Sequence, residues 1–472
     1  MRLRWTMPAL LAALLMGLIR TTHADGVDDY LKAQMAARHI PGLSVAVVQD
    51  GKVVKSQGYG LANIELPVPA AVGTIYPIGS ISKQFTAVAV MLLAQEQKVG
   101  LDDPISKYLA SLPATWQSIT VRELLNQTSG IPEWVPDPDK DPLLKTYSLT
   151  ELAHHAAVKP LAFRPGTRFE YSNTNYNLLA GIVEKAGGKP LNDFLQEHLF
   201  KPLGMDATGE YDPQMAVQSR SAGYTRAAGN IYNNIIFYDP SILAGAGGLQ
   251  STVGDLAKWD AAVASGEVLP LPVMAQMWTP PVLPGGAVTD YGMGWMSQSV
   301  KGHWMIWHNG AIPGCMGFSG RFPDDHLSVV ILSNMCPIDR FDDSPPFFSL
   351  GLGVAKQYLP DLAKEEAAVP DTNPQVTRLL RRTLLGLAAG KVDADTLTLE
   401  MRSVFSPETL TQMRQAIAPL EPLQSLSLLA HSEQGSLTVY RYRAVYGATP
   451  TIVLMTLTPD GKIAGWLGPR LE

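Results

Sequence analysis

The sequence predicts an α+β fold. An antiparallel sheet is flanked by helices, a mainly helical subdomain interrupts it, and a small α+β domain follows at the C-terminus. Three observations carry this reading. Strand patterns lie near the start of the chain, at residues 42–59, and again at residues 291–334, so one sheet must join segments far apart in sequence. The stretch between residue 80 and about residue 205 runs mostly at helical period. A polar, proline-bounded stretch from Lys364 to Pro374 then precedes a tail with helix and strand patterns of its own. At 472 residues, 46% hydrophobic and 17% charged, the chain is long enough for a large core and more than one domain.

Residues 1–24 read as a signal peptide. Arg2 and Arg4 precede an apolar run from Met7 to Ile19, and Thr22-His23-Ala24 offers small residues to a peptidase, which predicts cleavage after Ala24. A membrane-spanning helix needs about 20 apolar residues, so this run is too short for a stable membrane anchor. The expected location is periplasmic or secreted. A net charge of −6 with no basic cluster argues against nucleic acid as a partner.

Residues 25–362 are expected to form the main domain. Residues 42–48 are apolar and β-branched, Asp50-Gly51 marks a tight turn, and residues 52–59 return as a second strand. Residues 80–97 place Phe85, Val88, Met91, Leu92 and Ala94 on or near one helical face. Further helical stretches lie at 121–127, 148–157, 176–186 and 190–199. Residues 316–322 and 327–334 predict a hairpin about Pro323-Asp324-Asp325. Cys315 and Cys336 flank it, nearly equidistant from the turn. A disulfide and a pair of buried thiols both fit that placement. Residues 363–375 read as a linker and 376–472 as the small domain. That domain is expected to hold helices at 376–389 and 407–417 and strands at 436–445, 451–458 and 463–467. Tyr440, Tyr442 and Trp466 read as core residues, with the lining of a cleft as the alternative.

Three short motifs carry chemistry. The first is Ser80-Ile81-Ser82-Lys83, the single Ser-x-x-Lys in the chain. On a helix, residues three apart share a face. A serine hydroxyl is a poor nucleophile without an adjacent base, and a lysine supplies one when burial lowers its pKa. At a helix start the Ser80 N–H is also left to face an oxyanion. The second is Tyr171-Ser172-Asn173, where a loop tyrosine beside an ammonium can act as phenolate or relay a proton, and Asn173 can hold a substrate amide and the lysine head. Tyr232-Asn233-Asn234 is a rival match for it. The third is Trp307-His308-Asn309-Gly310-Ala311, in which Trp304, Ile306 and His308 alternate on one strand face. Gly310 lets a substrate backbone approach closely, and the Ala311 N–H is a candidate second oxyanion donor.

In this order the three motifs resemble the penicillin-recognising serine hydrolases: class C β-lactamases, D-alanyl-D-alanine carboxypeptidases, D-aminopeptidases and β-lactamase-like esterases. Leu124 to Pro132 and Ala246 to Thr252 are similar to further segments of that family, and the resemblance covers roughly residues 27–360. It implies a β-lactamase/transpeptidase-like fold. It makes Ser80 the nucleophile, Lys83 and Tyr171 the base and acid pair, and Asn173, His308, Asn309, Gly310 and Ala311 the substrate-binding residues. It implies a small-molecule or short-peptide substrate, and no metal or cofactor. Where β-lactamases of the family carry Lys-Thr-Gly, this chain has His308-Asn309-Gly310. A mostly neutral imidazole attracts a β-lactam carboxylate less than an ammonium does. The expected activity is therefore hydrolysis of an ester or amide, such as a D-amino-acid peptide or a small ester. A β-lactamase, or a non-catalytic cell-wall-peptide binding or regulatory protein on the same fold, is the alternative. No Gly-x-Ser-x-Gly elbow, His-Glu-x-x-His zinc motif, phosphate loop or dinucleotide fingerprint competes with this reading.

Overall fold

The computed structural model describes residues 26–134, 136, 141, 143–226, 232–234, 239–284, 288–336, 345–420, 422–434, 436–447 and 449–471. The expected signal peptide lies outside these residues. Among the described residues, no helix is long and apolar enough to cross a membrane. The chain divides into two compact units, the second made of Val282–Thr289 and Lys364–Glu472.

The first unit is built on a seven-stranded antiparallel sheet. Its strands are β1 (Gly42–Gln49), β2 (Lys52–Asn63), β3 (Val68–Pro69), β4 (Met296–Val300), β5 (His303–Ile312), β6 (Cys315–Phe322) and β7 (Leu327–Ser333). Their order is β3-β2-β1-β7-β6-β5-β4, so the two ends of the domain meet at β1 and β7, with Val45 opposite Ile331. Side chains alternate across a strand, and both faces of this sheet are covered. Ala46 and Val48 enter one core while Leu43, Val45 and Val47 enter the other. Burial on both faces is why β1 reads as a continuous apolar run rather than an alternating one.

One face carries α1 (Ser82–Gln95), α2 (Val121–Leu125), α3 (Leu149–Ala156), α4 (Asn173–Gly187) and α5 (Val253–Ser265). Phe85 and Val88 of α1, Leu178 and Ile182 of α4, and Leu256 and Trp259 of α5 share a core with Val330, Leu332 and Ile306 of the sheet. Capping boxes start two of these helices: Thr120 with Glu123 and Ser148 with Glu151. The opposite face is covered by α6 (Pro345–Ala355), through Phe347, Leu350 and Val354.

Two local features differ from the sequence reading, and a third decides between its two alternatives. The helix expected from residue 80 begins at Ser82, after a separate 3-10 turn over Gly79–Ile81. The helix expected from residue 176 begins at Asn173. Cys315 and Cys336 are both buried and form no disulfide, and burial pushes both thiols up to about 12.

In the second unit, α7 (Pro374–Ala388) buries Val376, Leu380, Thr383, Leu384 and Leu387, a stripe at helical spacing. It is followed by α8 (Leu399–Val404) and α9 (Pro407–Ile417) and by a four-stranded sheet in the order β8-β9-β10-β11. These strands are β8 (Leu423–Gln434), β9 (Leu437–Tyr446), β10 (Thr449–Leu457) and β11 (Ile463–Leu471). Strand β8 escaped the sequence reading because irregular pairing between Leu428 and Ala430 interrupts its alternation. Part of the stretch read as a linker is bound to this sheet: Val369 N–H donates to Leu428 O at 2.8 Å, and Glu366 pairs with Arg441. Tyr442 is a core residue, and Tyr440 and Trp466 pack against that core.

Candidate active site

Two glycines position Ser80. Gly79 has φ +51°, a left-handed conformation that glycine adopts without the Cβ penalty. A Cβ on Gly79 would lie 2.8 Å from the Ala311 N, and one on Gly310 would lie 1.8 Å from Ile78 O and 3.2 Å from Ser80 N. Bare backbone therefore meets bare backbone, and the Ser80 turn lies against the end of β5. The approach that the sequence reading assigned to a substrate at Gly310 is made by the chain's own Ile78 carbonyl. The β4–β5 ladder stops at Met296 opposite Trp307, while β5 pairs with β6 as far as Ile312. Residues 308–312 thus have no β4 partner. Ser80 sits in the first turn of its 3-10 helix, where the N–H has no intrahelical acceptor.

Lys83 is fully buried on the first turn of α1. Its Nζ lies 3.1 Å from Ser80 Oγ, 2.6 Å from Asn173 Oδ1 and 2.7 Å from Ala246 O. The same nitrogen is 4.7 Å from the centre of the Tyr171 ring and 5.5 Å from that of Tyr176. Burial pushes this amine down to about 7, and the Glu133 carboxylate opposes that fall. Tyr171 lies just before α4. Burial holds its phenol well above the ordinary tyrosine value, the neighbouring Tyr291 adds to the rise, and the Ser80 hydroxyl acts to lower it.

His308 shares the face of Ile306 and is 1% exposed. Its Nδ1 lies 2.6 Å from Asn309 O, and its Nε2 lies 3.1 Å from the Tyr291 hydroxyl. A carbonyl oxygen only accepts, so Nδ1 holds the hydrogen and Nε2 accepts from the Tyr291 O–H. Burial pushes the imidazole down to about 3, with the Lys83 charge acting in the same direction. The ring is neutral and both nitrogens are engaged.

The expected residues Ser80, Lys83, Tyr171, Asn173 and His308 come together, with Gly310 and Ala311 against the Ser80 turn. Asn309 offers its carbonyl to His308, and its side chain is half-buried. The rival stretch Tyr232–Asn234 forms a two-stranded ribbon with Tyr224–Arg226. Sequence reasoning missed Glu133 and Tyr291. Glu133 accepts the Asn173 backbone N–H and, at 2.8 Å on Oε1, the Asn173 Nδ2. The one local cue to Glu133 is its place directly after the Ile131-Pro132 segment.

Residues 27–344 match the family described as Beta-lactamase. The chain is 27% identical over 313 residues to penicillin-binding protein 4* of Bacillus subtilis, spanning 62% of this chain and 67% of that protein. For several further curated relatives, the alignment spans only 37% to 40% of their length. The crystal structure of D-amino acid amidase from Ochrobactrum anthropi SV3 superimposes with a TM-score of 0.62 and 25% identity, over 73% of this chain and 98% of that one. The octameric penicillin-binding protein homologue from Pyrococcus abyssi shares the fold over 93% of this chain and 94% of its own, with a TM-score of 0.62 and 22% identity. With the family match spanning the sheet, the helical insert and all three motifs, the chain belongs to the beta-lactamase family of penicillin-recognising serine hydrolases.

Proposed function

We propose that this chain hydrolyses an ester or amide through an acyl-serine formed at Ser80, acting after export in the periplasm or outside the cell. The observation that carries the proposal is the surroundings of the Lys83 amine. Asn173 Oδ1 and Ala246 O accept its two hydrogens, which turns the lone pair of the neutral amine toward Ser80 Oγ. The lowered pKa makes that neutral form available near pH 7.

In the first step Ser80 Oγ bonds to the substrate carbonyl carbon and its proton passes to Lys83 Nζ. The carbonyl oxygen becomes an oxyanion facing the N–H groups of Ser80 and Ala311. Collapse breaks the bond to the leaving group, which takes a proton from the Tyr171 hydroxyl. The proton held by Lys83 then returns to Tyr171. Water repeats the sequence on the acyl-serine, releasing the acid and restoring the Ser80 hydroxyl. Burial disfavours a Tyr171 phenolate, so the relay role fits better than that of a second base.

His308 supports the substrate class proposed. A neutral, fully engaged imidazole provides no cation for a carboxylate on the leaving side. This favours neutral amides and esters over β-lactams and free C-terminal peptides. The Ochrobactrum relative is named for D-amino acid amides, and amides of that class are the first substrates to try. The test is a turnover screen of D-amino-acid amides and p-nitroanilides, short p-nitrophenyl esters, D-Ala-D-Ala peptides and nitrocefin, repeated with Ser80→Ala. Turnover of the neutral substrates, lost in Ser80→Ala, is expected. A Ser80→Ala protein with full activity removes the mechanism, and fast nitrocefin hydrolysis removes the substrate class.

A further inference from the structure

We propose that Glu133 is the positioning residue of this site: its carboxylate grips the backbone and side-chain N–H groups of Asn173 and so turns the Asn173 carbonyl oxygen onto the Lys83 amine. The inference rests on the acyl-serine reading above and assigns a part to a residue outside the three motifs.

An asparagine carboxamide presents an acceptor on one side and two donors on the other. A half-turn about its last bond exchanges them at almost no cost in shape. Which way Asn173 points is therefore decided by its partners. If Nδ2 faced Lys83, it would donate to the amine lone pair and occupy the position that must receive the Ser80 proton. If Oδ1 faces Lys83, it takes an N–H and leaves the lone pair to Ser80. The second arrangement is present, with Oδ1 at 2.6 Å from Nζ. Ala246 O cannot select it, because its hydrogen bond in this cluster comes from Lys83 and not from Asn173. Glu133 can. A carboxylate only accepts, so the Asn173 NH2 must face it, as it does at 2.8 Å. Its other oxygen takes the Asn173 backbone N–H, one of the unpaired donors at the start of α4. Two parallel bonds from one carboxylate fix the side chain relative to its own backbone, and a single bond would leave it free to turn.

The carboxylate also acts on Lys83 through space. Its charge supports the protonated amine and offsets part of the effect of burial. Glu133 itself is pushed upward by burial, and its bonds from Asn173 counter this. Glu133 makes no bond to Ser80 and is placed to act through Asn173, which separates it from the groups that move protons.

The test compares Glu133→Gln and Glu133→Asp with wild type and Ser80→Ala on the best substrate of the screen, following kcat, KM and the pH profile. A glutamine keeps one acceptor and turns an NH2 toward the other N–H, so Asn173 loses its fixed orientation. For Glu133→Gln, kcat is expected to fall about 10²-fold, the scale of a small misplacement of a catalytic group, with KM little changed. The acid limb of kcat/KM is expected to move to lower pH, because the charge that supports the protonated amine is gone. Adding Asn173→Ala to Glu133→Gln is expected to cost little more than either change alone. Glu133→Asp keeps the charge but not the reach, so its kcat falls while its acid limb stays with wild type. Should Glu133→Gln not fold, Glu133→Asp alone decides. Wild-type kcat in either folded variant, or full additivity with Asn173→Ala, overturns the positioning role. Those results with an inactive Ser80→Ala leave the acyl-serine reading standing, whereas an active Ser80→Ala removes both.

Discussion

Tyr291 donates its phenolic hydrogen to His308 Nε2 across 3.1 Å, in a site where both residues are almost wholly buried. That bond, with Asn309 O on the opposite nitrogen, leaves the β5 edge without a positive charge beside Ser80. Restoring the charge should change selectivity. His308→Lys is expected to raise kcat/KM for a carboxylate-bearing D-Ala-D-Ala peptide relative to a neutral D-amino-acid amide by about tenfold, worth about 1.4 kcal/mol of added attraction. Competition kinetics with the two substrates reads the ratio directly.

The pH dependence of the wild-type enzyme is expected to have its acid limb at Lys83 and none at His308. Lys83 is lowered from its ordinary value to about 7, and it acts as a base only when unprotonated. Activity should therefore rise as pH increases through about 7 and fall away below it. His308, pushed down to about 3, is already neutral throughout that range. A kcat/KM profile from pH 5 to 9 checks this, and substitution of His308 by Gln should leave the position of the limb unchanged.

Tyr171→Phe separates the ring from the hydroxyl. The ring contact with Lys83, 4.7 Å from Nζ to centroid, is retained and only the O–H is lost. Amide turnover should drop about 10²–10⁴-fold, the usual scale for a missing proton donor. A p-nitrophenyl ester, whose leaving group needs no proton, should lose much less. Equal losses on both substrates would point to a role in placing Ser80 and not in protonating the leaving group.

Gly310→Ala tests the backbone contact beneath the nucleophile. The added methyl would lie 1.8 Å from Ile78 O, so the 78–80 turn must move or the strand must bend. Overpacking of this kind typically costs about 1–3 kcal/mol, and here it also displaces Ser80 N. A lowered Tm together with loss of labelling by a fluorophosphonate is the expected outcome.

The two cysteines give a simple chemical check. Both thiols are buried and pushed up to about 12, so neither presents a thiolate at neutral pH. Ellman's reagent should find them silent in the native protein and should titrate both in denaturant without prior reduction.

The amino-acid sequence by itself determined the pieces. Ser80 and Lys83 stand three residues apart, a spacing that puts both side chains on one side of a helical turn. Tyr171-Ser172-Asn173 and His308 to Ala311 were legible as motifs in a fixed order. The strand character of residues 42–48 followed from their apolar, β-branched composition. Tertiary structure alone decided how the pieces meet and in which protonation state. Asn173 reaches Lys83 across 90 positions, and Glu133 reaches Asn173 across 40; no short-range pattern encodes either distance. The neutral His308 and the weakened Lys83 base are consequences of burial, which exists only once the helices close over the sheet and exclude water. Sequence names the groups that can donate and accept; packing chooses which donor faces which acceptor.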